Sequence, residues 1–188
     1  MYLKQPGRPG PTLCLRADSR LTPAPDMCPA LDRLLSGPGS ADAAAALAQR
    51  AVRLHATRGE WTAPPLQGRH VAIAALVHDT PSARRFEQAA VQLGARVSHI
   101  GADALALDLS DPERTAHILG SLYDAIDFIA LEPDRVHLLE RAAGVPAFAD
   151  LGGENSPLLD LLPPAADPQQ REASLLALVQ AVLVETMR

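Results

Sequence analysis

Lysine is almost missing from this chain. Of its 17 basic residues only Lys4 is a lysine, so chemistry that needs a lysine within the folded part is excluded. Aromatic residues make up 3%, too few for platforms that stack bases or sugars. There are two cysteines, Cys14 and Cys28, with no second pair to complete a zinc site. They read as ordinary reduced thiols, with a lone disulfide as the alternative. No apolar run reaches the roughly 18–20 residues of a membrane span. Residues 1–30 lack the basic-then-apolar layout of a secretion signal. The net charge of −5 shows no basic excess of the kind that marks a nucleic-acid-binding domain. The expectation is a cytoplasmic protein without membrane or nucleic-acid partners.

What is present suits one domain. The chain has 188 residues, 47% of them hydrophobic. A domain of this size buries roughly 70% of its unfolded surface. Residues 1–30 hold six of the 17 prolines and read as a flexible leader, tacked on near Leu31–Leu35. Residues 31–188 read as the folded domain.

Ser40 to His55 is alanine-rich, with Ser40 as N-cap and Gly59 beyond the end, which predicts a helix. His70 to Val77 is a continuous apolar run, the pattern of a strand buried on both faces. Pro81 to Leu93 predicts a helix with Phe86, Ala89, Ala90 and Leu93 on one face, ended by Gly94. Further strands are predicted at 95–100, 124–131 and 145–148, with helices opening at Pro112 and Pro133. Gly144 closes the second of these. A short helix over 156–162, a loop over 164–170 and a final amphipathic helix over 171–187 complete the reading. That helix is expected to pack on the sheet, because it lacks the basic polar face of a membrane-surface helix.

Strands alternating with helices imply an α/β fold: a three-layer, doubly wound parallel sheet of about four strands flanked by helices. Ligands in such sheets bind at the carboxyl ends of the strands. Those ends are 78–85, 101–109, 131–132 and 150–157. The first also opens a helix, a natural anion site.

Four segments in order resemble the N-terminal, carbamoyl-phosphate-binding domain of the aspartate/ornithine carbamoyltransferases. They are Leu66-Gln-Gly-Arg-His-Val-Ala-Ile, Arg85-Phe-Glu-Gln-Ala-Ala-Val-Gln-Leu-Gly-Ala-Arg-Val, Arg114-Thr-Ala-His-Ile-Leu-Gly-Ser-Leu-Tyr-Asp-Ala-Ile and Arg141-Ala-Ala-Gly-Val-Pro-Ala-Phe. The resemblance spans about residues 32–163. It implies a phosphate loop where the family reads Ser-Thr-Arg-Thr-Arg and this chain reads Asp79-Thr80-Pro81-Ser82-Ala83. Thr80 matches, Ser82 is a conservative change, and both arginines are absent. Asp79 opposes a bound anion, and Pro81 removes an N–H. The family's arginine after the third strand is replaced by Ile129 and Ala130. Its His-Pro-x-Gln is replaced by Ser156-Pro157-Leu158-Leu159. The loop after the second strand contains no lysine, and the stretch after Pro163 has room for one closing helix rather than a second domain.

Thr80, Ser82, Arg84 and Arg85 are therefore the ligand-binding candidates, as a vestigial phosphate loop. The competing reading makes Thr80 and Ser82 helix caps and the arginines surface-paired. A general base at His78-Asp79 is disfavoured, because adjacent residues in an extended chain point opposite ways. Asp150, Glu154 and Asp160 read as a solvated acidic rim rather than a metal site. Gly152-Gly153 is too short for a dinucleotide fingerprint. His99 and His117 read as structural or surface residues. No catalytic residue, metal or cofactor is assigned.

The functional expectation is a carbamoyltransferase-like protein of amino-acid metabolism, catalytically inactive alone and acting by binding or assembly. The resemblance implies a homotrimer or association with an intact carbamoyltransferase. The alternatives are a small-anion or amino-acid-binding protein, or an enzyme, with a repurposed pocket at the same strand ends. A weaker one is a carbamoyltransferase completed by a separate chain.

Overall fold

The apolar run that begins at His70 forms the centre of a parallel sheet. The computed structural model describes residues 13, 15, 29–35, 40–58, 60–75, 77, 79–101, 111–162 and 167–187. Lys4, Cys14, Cys28, Gly59, His78 and residues 102–110 lie outside the described residues, as does most of the segment read as a leader. Within the described residues, α1 (Pro29–Leu35) and α2 (Ser40–Ala56) precede β1 (His70–Ala75). Then come α3 (Pro81–Gln92), β2 (Arg96–Ile100), α4 (Pro112–Leu122) and β3 (Ala125–Ile129). The chain continues with α5 (Pro133–Ala143), β4 (Ala147–Ala149), a 3-10 turn (Pro157–Leu161) and α6 (Pro168–Thr186).

The sheet order is β2-β1-β3-β4 and all neighbours are parallel. The order reverses between β1 and β3, which makes their carboxyl ends the switch point. Strand periodicity divides the core in two. Val71, Ile73 and Ala75 of β1 join Phe86, Ala89, Leu93 and much of α6 on one face. Ala72 and Ala74 join Ala116 and Leu119 of α4 and Val136 and Leu139 of α5 on the other. Helices thus cover both faces, in the three-layer α/β arrangement expected. Leu13 and Leu15 are half-buried against the first core.

Local signals placed most boundaries. Asp111 caps α4 by accepting the Arg114 N–H at 3.1 Å, and Pro112 occupies the first turn. Gly94 and Gly144 adopt φ of +88° and +70° after α3 and α5, the left-handed conformation that glycine reaches without penalty.

The strands are shorter than their apolar runs. The first ends at Ala75 rather than Val77, and Val77 is 64% exposed. Its partner β3 stops at Ile129 because Ala130 takes φ +62° and leaves the ladder. The fourth strand is 147–149 rather than 145–148, beginning beyond Pro146, which has no N–H to give, and ending where Asp150 takes φ +55°.

The last helix departs furthest from expectation. It begins at Pro168 rather than Arg171, because Asp167 caps the N–H groups of Gln169 and Gln170 at 3.0 Å each. It is not amphipathic along its second half: Ser174, Leu175 and every residue from Ala177 to Val184 are buried. It packs closely against α2 and α3, and its buried residues share one core with Val71, Ile73 and Ala75 of β1, on the sheet face as expected. Among the described residues no helix is long and apolar enough to cross a membrane.

Candidate functional site

The carboxyl ends of β1, β3 and β4 meet the first turn of α3. Each of the four residues singled out above has a partner there. Thr80 is the N-cap of α3, its Oγ1 accepting the Ala83 N–H at 3.1 Å. Ser82 donates its hydroxyl to Asp150 Oδ1. Arg84 points away to solvent and pairs with Asp79, Nη1 to Oδ1 at 2.9 Å, with both side chains exposed. Arg85 is nearly buried and lies across the site. Its Nε and Nη2 donate to the two carboxylate oxygens of Glu172 on α6, both at 2.8 Å, and its Nη1 donates to the Gly152 carbonyl. That is the planar, two-point grip a guanidinium offers any oxyanion. The fold therefore brings Ser82 and Arg85 together around the turn at 150–153 and leaves Thr80 and Arg84 in local roles.

The turn itself is built by close approach. A Cβ on Gly153 would sit 2.0 Å from Asp150 Oδ2, and one on Gly152 would sit 3.2 Å from the Ser82 carbonyl. The glycine pair thus makes space for Asp150 and α3 rather than forming a nucleotide loop. Asp150 turns inward to Ser82, whereas Glu154 and Asp160 are exposed, so these three carboxylates do not converge. Among the described residues no group of three His, Cys, Asp or Glu side chains is placed to hold a metal ion.

Asp127 escaped the sequence reading. It lies in β3 and is completely buried. Its Oδ1 accepts the Leu151 N–H at 3.1 Å, while Oδ2 has no partner. Burial pushes its pKa up to about 8, the Leu151 N–H opposes the rise, and the neighbouring Asp150 charge adds to it. Asp127 thus carries a proton at neutral pH and holds the turn after β4 to the sheet. The signal was available: a single acid interrupts an apolar strand between Ile126 and Phe128.

The other histidines singled out lie apart. His99 Nε2 sits 3.4 Å from Glu87 Oε2 on the partly exposed side of β2, and His117 is exposed on α4.

No family model matches the chain. Two relatives are catabolic ornithine carbamoyltransferases. That of Lactococcus lactis subsp. lactis is 32% identical over 87 residues, 46% of this chain and 25% of the relative. That of Chromobacterium violaceum is 35% identical over 94 residues, 49% of this chain and 28% of the relative. The chain thus spans about a quarter of the length of these curated relatives. The crystal structure of ornithine carbamoyltransferase from Burkholderia thailandensis superposes with a TM-score of 0.52 at 22% identity, covering 61% of this chain and 40% of that one. About half of this chain is therefore similar in sequence to the ornithine carbamoyltransferases, and its parallel α/β fold is shared with a solved one.

Proposed function

We propose that this chain is a carbamoyltransferase-like protein that does not transfer carbamoyl groups by itself and acts through binding or assembly. One observation carries the reading. The two arginines beside the strand-end loop are both engaged by the chain's own carboxylates, Arg84 by Asp79 and Arg85 by Glu172. A phosphate arriving there must displace Glu172 and meets Asp79 and Asp150 as well. Charge developing on a transferred group needs prearranged donors, and these donors are already committed. Ser156, where the resemblance places a histidine, is buried and caps the 3-10 turn through the Leu158 N–H at 3.4 Å.

Assembly is supported by three of the large apolar side chains left in solvent, which gather on the α4–α5 layer, while Val52, Val77 and Val91 are exposed elsewhere. Ile118 and Leu122 lie one turn apart on α4, and Leu138 lies on α5, which packs beside it. The partner under this reading is a second and third copy of this chain or an intact carbamoyltransferase.

The test has two arms. Carbamoyl phosphate is supplied with ornithine or aspartate, and citrulline or carbamoyl-aspartate is measured; none is expected, and turnover sinks the inactive reading. Light scattering behind a sizing column then follows the chain alone and mixed with an ornithine carbamoyltransferase. A shared peak or a self-associated species is expected, and a strict monomer in both runs removes assembly.

A further inference from the structure

A cleft of about 470 Å³ opens where three helices distant in sequence meet: the end of α2, the middle of α3 and the first half of α6. It is separate from the strand-end turn. The Arg85–Glu172 pair lies between them, with Glu172 on the rim of the cleft. Its size is within the roughly 300–1,000 Å³ of sites for small organic molecules.

The lining has an asymmetric chemistry. Ala173 and Leu176 of α6 form an apolar wall, His55 comes from the last turn of α2, and Arg58 from the turn just after it. Gln180, buried in α6, also lines the cleft, and its Nε2 is fixed on Gln92 Oε1 at 2.8 Å. The start of α6 adds no free amides at Gln169 or Gln170, because Asp167 already accepts from both. Glu172 is the one carboxylate on the rim, and Arg85 holds both of its oxygens. Arg58 forms no ion pair with any described carboxylate. One uncompensated guanidinium thus shares a cleft with an apolar wall.

We infer that this cleft binds a small organic carboxylate with a short apolar chain, the carboxylate on Arg58 and the chain along Ala173 and Leu176. Each half of the ligand answers one half of the lining. A planar carboxylate matches the guanidinium fork. An inorganic phosphate has nothing to lay on the apolar wall. A purely apolar molecule leaves the guanidinium unanswered.

Titration calorimetry on the full chain tests this with three probes: hexanoate, hexanol and acetate. Hexanoate is expected to bind at least about tenfold more tightly than either of the others, the factor one charge-assisted contact supplies. Arg58→Gln, at an exposed position, is expected to bring hexanoate down to the hexanol value. Ala173→Leu, which fills the cleft and keeps Arg58, is expected to weaken hexanoate by a similar factor. The inference is overturned if hexanoate gives no heat at millimolar concentration, if hexanol binds as tightly, or if Arg58→Gln leaves hexanoate affinity unchanged.

Discussion

Ser82, in the first turn of α3, donates its hydroxyl to the carboxylate of Asp150, just beyond β4, and so ties two strand ends that lie 68 residues apart in the chain. The bond spans the switch point of the sheet and fixes the turn against which Arg85 rests. Ser82→Ala leaves Asp150 without that donor. A hydrogen bond to a charged group contributes roughly 1.5–3 kcal/mol, so urea unfolding of Ser82→Ala should show a loss near the lower end, because Asp150 is only half-buried. Unchanged stability would mean that the bond does not form in solution.

Asp127 gives the fold a pH dependence of definite sign. Its pKa is about 8 in the folded chain, against an ordinary value of 3.8. Between these values the folded chain holds a proton that the unfolded chain has lost, so unfolding releases a proton. The stabilising contribution is complete below pH 3.8 and is lost as pH rises to about 8, beyond which it levels. Asp127→Asn removes this titration while keeping the shape. Its stability relative to the parent should climb between about pH 4 and pH 8, read from urea midpoints across that range. Parallel profiles for the two proteins would exclude a buried protonated carboxyl.

Two glycines are required by space, not by φ. A Cβ at Gly120 would meet the Ala143 carbonyl oxygen at 2.1 Å, where α4 crosses the end of α5. At Gly153 it would meet the end of the Asp150 side chain at 2.0 Å. Overpacking costs roughly 1–3 kcal/mol. Gly120→Ala should fall at or above the top of that range, because backbone cannot yield without moving a helix. Gly153→Ala should cost less overall but also break the Ser82–Asp150 bond, so combining it with Ser82→Ala should be less than additive. Full additivity would disconnect the two sites.

Arg33 on α1 holds Glu140 on α5 with its two terminal guanidinium nitrogens, at 2.8 and 2.9 Å, and Glu140 also accepts the Ala147 N–H of β4. The pair is unequal: the Arg33 side chain is 65% exposed and that of Glu140 only 6%. Removing the arginine leaves a buried carboxylate uncompensated, whereas an amide there carries no charge. Arg33→Ala should therefore destabilise by about 2 kcal/mol, below the cost of breaking a fully buried pair. Adding Glu140→Gln should recover part of the loss, and a double variant weaker than Arg33→Ala alone would contradict this account.

Much of the architecture was legible because its causes are local. Caps, prolines in first turns and glycines at helix ends act within a few residues. Asp111, Pro112, Gly94 and Gly144 placed α3, α4 and α5 nearly to the residue. Most departures arise where a neighbour distant in sequence decides the outcome. The apolar run from His70 to Val77 looks uniform, yet β1 stops at Ala75, whose partner Ile129 is the last residue of β3 before Ala130 turns away. Pro168 with Asp167 starts α6 three residues early, a local cap set within a loop-like stretch. The closing helix reads as amphipathic along the chain, yet it is buried through its second half because α2 and α3 both lie against it.

The site divides the same way. The residue types at the strand ends, including the absence of arginine from 79–83, and the absence of lysine beyond Lys4 are properties of the chain itself. Spacing and order were enough to indicate a parallel α/β sheet with candidate ligand positions at its strand ends, while the strand order that sets the switch point came from the fold. What each side chain does there depends on partners far away in sequence. Arg85 meets Glu172 from 87 positions on, Arg33 meets Glu140 from 107 positions on, and Asp127 has a raised pKa because folding takes it out of water. Hydrogen bonds and desolvation act over a few ångströms in space. Only the packed chain could decide that the strand-end arginines are occupied by the protein's own carboxylates, and that Arg58 shares a cleft with an apolar wall.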